Sequence, residues 1–117
     1  MASDPAEPDL AYLVTSGRIS GNAHQIEIWF ATNEQTAYFL AGDGDRSDWV
    51  RNIMVSADVV LQIGGRKRPS RARVLPAGSE EDAAARRLLV EKYTVRGEAN
   101  LSDWGSRAVA VAVEWPD

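Results

Sequence analysis

The stretch Gly17-Arg18-Ile19-Ser20-Gly21, followed at once by His24-Gln25-Ile26-Glu27-Ile28-Trp29-Phe30, decides the fold. A strand enters from Leu10 to Thr15, a glycine-bracketed basic turn reverses it, and a second strand leaves over His24 to Thr32. In that second strand Ile26, Ile28 and Phe30 alternate with Gln25, Glu27 and Trp29, which gives one apolar and one mixed face. The glycines allow positive φ and close approach of the backbone to a ligand. Arg18 and Ser20 place a cation and a hydroxyl inside the turn, a combination that suits phosphate. Taken alone, the turn reads more simply as a plain hairpin with a solvated arginine. The rest of the chain shifts that reading.

Working outward, Asn33-Glu34-Gln35 is a turn and Thr36 to Ala41 a third strand. Gly42-Asp43-Gly44-Asp45 breaks the pattern, and a helix follows from about Arg46 to Ser56, with Asp45 or Ser47 as N-cap. Trp49, Val50 and Ile53 form its buried stripe. Asp58 to Ile63 and Ser70 to Leu75 are strands either side of a Gly64-Gly65 tip. Ser79-Glu80-Glu81-Asp82 resembles a capping box and opens a helix to about Tyr93. Thr94 to Gly105 reads as a loop. Arg107 to Trp115 is a last strand in which Val109, Val111 and Val113 alternate with small alanines. The expected order is β-β-β-α-β-β-α-β. That is a mainly β fold with two helices, a six-stranded small barrel with helices at its rim.

The chain has 117 residues, 44% of them apolar and 26% charged, so a single domain over residues 10–117 is expected. Met1 to Asp9 is acidic and proline-bearing, unlike a signal peptide, and reads as a disordered lead-in. The net charge of −4 argues against a nucleic-acid partner. The absence of cysteine excludes thiolate metal sites and a cysteine nucleophile, and it fits a cytoplasmic location. No apolar run approaches membrane-spanning length.

Three places could carry chemistry. The first is the basic turn with His24, where Gln25 or Glu27 would also face a held ligand. The second is Gly42-Asp43-Gly44-Asp45 before a helix. It is a generic cradle whose aspartates would repel phosphate, so it suits a neutral ring or merely caps the helix. The third is Arg66-Lys67-Arg68-Pro69-Ser70-Arg71-Ala72-Arg73, either a solubilising hairpin tip or a clamp for an anionic tail. A lone histidine excludes a metal site with two histidine ligands, no metal is expected, and no serine is placed against His24. If the chain is an enzyme, a cofactor carries the chemistry.

The run Leu13 to Gly21, the strand Glu27-Ile28-Trp29-Phe30, and Gly44-Asp45-Arg46-Ser47-Asp48-Trp49-Val50-Arg51-Asn52 together resemble the flavin/deazaflavin-dependent oxidoreductases. The nearest branch is the deazaflavin-dependent nitroreductase and quinone-reductase family, and the likeness extends from about Tyr12 to Trp115. The resemblance implies a split β-barrel that binds the deazaflavin coenzyme F420 and passes hydride to a quinone, nitro compound or enone. It implies that Arg18, Ile19, Ser20 and His24 hold the phosphate and acidic tail. Gln25, Ile26 and Glu27 would lie along the ring, and Ala41, Gly42, Arg46, Trp49 and Asn52 would close over it. Trp29, Tyr93 and Trp104 are candidate walls of a substrate pocket, and a homodimer is expected.

Two departures from the family pattern weaken the grip on an anion. Gly42-Asp43 stand where relatives carry a lysine, and Ile19 stands at a position that is often basic. Arg46, Arg71 or Arg73 are the candidates to compensate. The wider superfamily includes FMN and haem binders. An FMN-dependent oxidoreductase and a non-catalytic cofactor- or haem-binding module are therefore the alternatives.

Overall fold

A computed structural model describes residues 7–116. Among them are seven strands: β1 Leu10–Ser16, β2 Ala23–Trp29, β3 Ala31–Asn33, β4 Thr36–Ala41, β5 Asp58–Ile63, β6 Arg66–Val74 and β7 Val109–Glu114. There are three α-helices, α1 Asp48–Val55, α2 Glu80–Val95 and α3 Ser102–Arg107, and a short 3-10 turn at Gly44–Arg46. The strands form one antiparallel sheet in the order β2-β1-β5-β6-β7-β4-β3.

That order has a geometric consequence. The two edge strands, β2 and β3, are separated along the chain by Phe30 alone. The sheet must therefore curl until its edges meet at Phe30, and from there they diverge. The result is a half-barrel with an open seam along β2. The single second strand expected over 24–32 is thus two strands that belong to opposite edges, and the expected six strands become seven.

The core follows from which face each residue takes. Directly opposed residues of an antiparallel pair share a face. Ala11, Leu13 and Thr15 of β1 are buried and pair with Ile28, Ile26 and His24. The inner face of β2 therefore carries Ile26, Ile28 and His24, and its outer face Gln25, Glu27 and Trp29. Inside the barrel, Leu13, Phe30, Phe39, Leu61 and Val111 pack with Val50 and Ile53 of α1. On the outer face, Tyr38 and Leu40 pack with Ala108, Ala110 and Ala112 against Leu89 and Tyr93 of α2. The alanines that alternate with valines in β7 are the seat of α2: small side chains let the helix lie close to the sheet.

Phe30 interrupts both ladders, so its backbone groups need partners elsewhere. Helix α2 supplies them. The Phe30 N–H donates to Tyr93 Oη at 2.9 Å, and its carbonyl accepts from Lys92 Nζ at 2.7 Å. Lys92 is fully buried, lies 3.7 Å above the Phe30 ring centroid, and pairs with Glu7 at 2.7 Å. Burial holds its ammonium below the usual lysine range, against the opposing pull of Glu7. Tyr93 Oη also lies 2.7 Å from the Asp9 carbonyl, and burial raises its pKa above the usual tyrosine range. Lys92 reaches the Pro8 carbonyl at 3.1 Å, and Arg96 holds Asp9 at 2.6 Å. The end of the expected disordered lead-in, Glu7 to Asp9, is therefore fastened to α2. The rest of that lead-in, 1–6, lies outside the described residues.

Other expectations also need correction. The expected loop over 94–105 gives way to α3, a third helix too short to announce itself by periodicity. It is tied to α2 by Arg86, which donates to the carbonyls of Gly105, at 3.1 Å, and Ala108. Gly105 itself allows the close approach, since a Cβ there would sit 2.6 Å from Val90 Cγ2. Strand β6 begins at Arg66 rather than Ser70, so the basic stretch lies within the sheet. Ser79 does cap α2, its Oγ accepting from Asp82 N–H at 3.1 Å.

The start of α2 also carries an acid-sensitive contact. Arg73 grips Glu81 with two hydrogen bonds of 2.6 and 2.7 Å, and Tyr38 Oη donates to the same carboxylate at 2.9 Å. The Arg73 bonds hold the Glu81 pKa below its ordinary 4.5. A carboxyl whose folded pKa is lowered contributes stability in full above its unfolded pKa and loses it as pH falls through the folded value. Glu81→Gln should therefore lower the denaturation midpoint near neutrality and flatten its decline below about pH 4.5. Denaturant titrations across that range check this.

Candidate functional site

The turn after β1 is closed by its own backbone. Gly17 N–H donates to Asn22 O at 2.7 Å, and Gly21 N–H to Gly17 O at 2.8 Å, with Gly21 at φ +76°. Ser20 Oγ accepts from Asn22 N–H at 3.1 Å. The turn is pinned to α1 through Arg18. Its backbone N–H and its guanidinium both donate to Asn52 Oδ1, at 3.2 and 2.9 Å, and the guanidinium also meets Asp48 Oδ1 at 3.2 Å. Asn52 in turn donates to the buried Thr15 Oγ1 at 3.0 Å. Asp48 and Asn52 are four residues apart on α1, so one helix face receives the arginine.

Between this turn, β2 and α1 lies a first groove section of about 440 Å³. Arg18, Ile19, Ser20, His24, Gln25, Ile26, Trp49 and Asn52 all line it. His24 lies against Gly17, where a Cβ would fall 2.7 Å from its Nε2 and 3.0 Å from Ser20 Oγ. The bare glycine is what lets the imidazole fold over the turn. Gly17→Ala should push His24 out of the groove at little cost in melting temperature, because the ring can rotate away. Weaker anion binding with near-unchanged thermal unfolding is the expected pair of observations.

A second section of about 450 Å³ continues along the seam. Ile26, Asp48 and Trp49 belong to both sections, and Glu27, Ala41 and Gly42 line only the second. Trp49 packs edge-on against Phe39 at 6.5 Å, so the core fixes the ring that separates the two sections. The volumes and the mixed lining suit a flat organic ligand with an anionic end. Because β2 is a sheet edge, its backbone groups on the side away from β1 have no ladder partner and face the seam.

Several expected residues fall elsewhere. Arg46 is exposed in the 3-10 turn and lines neither section. Trp29, Tyr93 and Trp104 pack with one another on the outer face. Trp29 stacks on Tyr93 at 4.2 Å, and Trp104 meets both rings edge-on, at 5.4 and 6.2 Å. Tyr93 is buried, Trp29 and Trp104 are partly buried against the same cluster, and none of the three lines either groove section; a Cβ at Gly42 would lie 3.9 Å from Trp104 Cδ1. The basic stretch is also engaged elsewhere. Arg66 and Arg68 donate to the Pro116 carbonyl, Arg71 pairs with Asp58, and Arg73 with Glu81. Asp48 was not anticipated, although its four-residue spacing from Asn52 was legible. Among the described residues no group of three His, Cys, Asp or Glu side chains is placed to hold a metal ion, and no helix is long and apolar enough to cross a membrane.

The molecule is thus a curled antiparallel half-barrel with a two-part groove along one edge and an arginine at one end. The family model of the F420H(2)-dependent quinone reductases matches residues 5–116, and the chain belongs to that family. Membership implies F420 as the coenzyme. Among solved structures, an F420-H2-dependent reductase (FDR-A) is 23% identical with TM-score 0.73, covering 91% of this chain and 94% of that one. A protein solved as a domain-swapped dimer is 22% identical with TM-score 0.74, covering 95% and 84%. The heme storage protein HutZ of Vibrio cholerae is 14% identical with TM-score 0.68, covering 93% and 82%. No curated protein matches the chain. These likenesses establish a shared fold.

Proposed function

We propose that this chain is an F420-dependent reductase that holds the coenzyme in the groove along β2 and reduces an electron-poor acceptor such as a quinone, nitro compound or enone. When bound, the reduced coenzyme supplies the hydride. The observation that carries the proposal is the groove itself: its floor is an unpaired sheet edge, and Arg18 stands at one end.

The chain's own residues bind and orient. Arg18 keeps N–H donors beyond those spent on Asn52 and Asp48, and His24 stands beside it. Asp48 is 85% exposed, so its ion pair with Arg18 is a weak surface contact that a phosphate displaces. Along Gln25, Ile26 and Glu27, the alternate N–H and C=O groups that point away from β1 offer hydrogen bonds to a flat polar ring. Trp49, Ala41 and Gly42 cover that position and exclude water, which favours transfer between ligands held in contact. Arg46, Arg71 and Arg73 line neither section, so charge alone does not select F420 over FMN. The preference for F420 rests on the family.

A cofactor-binding module without turnover is the second reading. Its support is His24, the chain's sole histidine and the residue type of a haem ligand, which lies in the first section. Incubating the protein with reduced F420 and a naphthoquinone separates the two. Oxidation of the coenzyme well above the protein-free rate supports the reductase, and binding without oxidation of coenzyme by any of the three acceptor classes supports the module. We also propose a homodimer, supported by the similar protein solved as a domain-swapped dimer and by the exposure of β2. Light scattering at the mass of one chain would contradict it.

A further inference from the structure

We propose that Asn52 is a positioning residue: it fixes the Arg18 guanidinium at the mouth of the groove and does not itself hold the ligand. The inference deepens the reading of the groove as the coenzyme site and rests on it. Asn52 is only 3% exposed, and its amide oxygen is committed to the protein. Its oxygen accepts from both the Arg18 backbone and the Arg18 side chain, and its nitrogen donates to Thr15. An amide oxygen has two lone pairs, so these two bonds fill it. One side chain thus joins three things: the β1 strand through Thr15, the turn backbone through Arg18 N–H, and the cation through its guanidinium. Without it, the arginine retains, among the described residues, the exposed Asp48 carboxylate and the Asp48 carbonyl at 3.5 Å.

A double-mutant cycle with F420 affinity as its readout tests this, with thermal unfolding measured on every protein. Arg18→Ala should weaken binding at least about tenfold, and Asn52→Ala about fivefold. The double variant should bind within about twofold of Arg18→Ala, because Asn52 acts through the arginine. Thr15→Val removes the Asn52 partner that faces away from the groove. It should lower the melting temperature yet leave affinity within about twofold of wild type. Independent losses that multiply in the double variant would overturn the proposal, as would an Asn52→Ala protein that binds like wild type. A Thr15→Val protein that loses as much affinity as Asn52→Ala would overturn it too, by showing that affinity merely follows stability. Should Asn52→Ala fail to fold, Asn52→Ser takes its place. If wild type does not bind F420, the coenzyme reading fails separately. The same proteins titrated with pyrophosphate then test Asn52 through anion binding alone, and a wild type that binds neither ligand ends both.

Discussion

Replacing Lys92 with alanine should lower the free energy of unfolding by about 3–5 kcal/mol, the cost of removing one member of a buried ion pair. Lys92 Nζ bonds the Phe30 and Pro8 carbonyls and pairs with Glu7. Alanine leaves the Glu7 carboxylate without its cation and the Phe30 carbonyl with only the Tyr93 hydroxyl, 3.0 Å away. The location amplifies the loss, because Phe30 is where the chain passes from one edge of the sheet to the other. With one donor fewer for its carbonyl, the bend that brings the two edges together is less well held. Lys92→Met with Glu7→Gln should recover a large part of the loss, since a neutral pair of similar volume leaves no unpaired charge. Urea titration of the three proteins checks both statements. A loss under about 1 kcal/mol for Lys92→Ala would mean that the network is incidental to the fold.

Arg18→Ala should weaken F420 binding by at least about tenfold, because a hydrogen bond to a charged group contributes roughly 1.5–3 kcal/mol. The fold should suffer less. The Arg18–Asp48 pair is solvent-facing and the Arg18 backbone bond to Asn52 survives the substitution. High salt should shrink the difference between wild type and variant, since the lost interaction is electrostatic and lies at a solvated mouth. Isothermal titration at two salt concentrations reads both effects. An affinity unchanged by the substitution would remove Arg18 from the site.

The parts legible in the sequence were those set by local patterns. The alternation in 24–30 and 109–113, the glycines of the turn and the cap at Ser79 each follow from a short stretch of chain. The grouping of Arg18, His24, Ile26, Trp49 and Asn52 around one groove came from the family resemblance. The turn and α1 meet through four hydrogen bonds from Arg18 to Asp48 and Asn52. What escaped was long-range. Nothing near Phe30 signals that one strand will serve both edges of a sheet, and the residues that hold the crossing, Lys92 and Tyr93, lie more than sixty positions away. The same distance hid the docking of Glu7 to Asp9 on α2. Trp29, Tyr93 and Trp104 are candidate pocket walls in sequence, and in the fold their rings pack on one another and line neither groove section. The arginines of β6 form a charged block in sequence, yet each finds a partner nearby: Arg66 and Arg68 the Pro116 carbonyl just past β7, Arg71 Asp58 of β5, and Arg73 Glu81 of α2.

The most direct test of the central claim is a fluorescence titration of the purified protein with F420, with FMN and haem in parallel. The groove geometry predicts saturable binding that is weakened in Arg18→Ala, and the family predicts that F420 binds more tightly than either alternative. Failure to bind F420, with FMN or haem bound instead, would leave the split barrel standing and contradict the proposed chemistry.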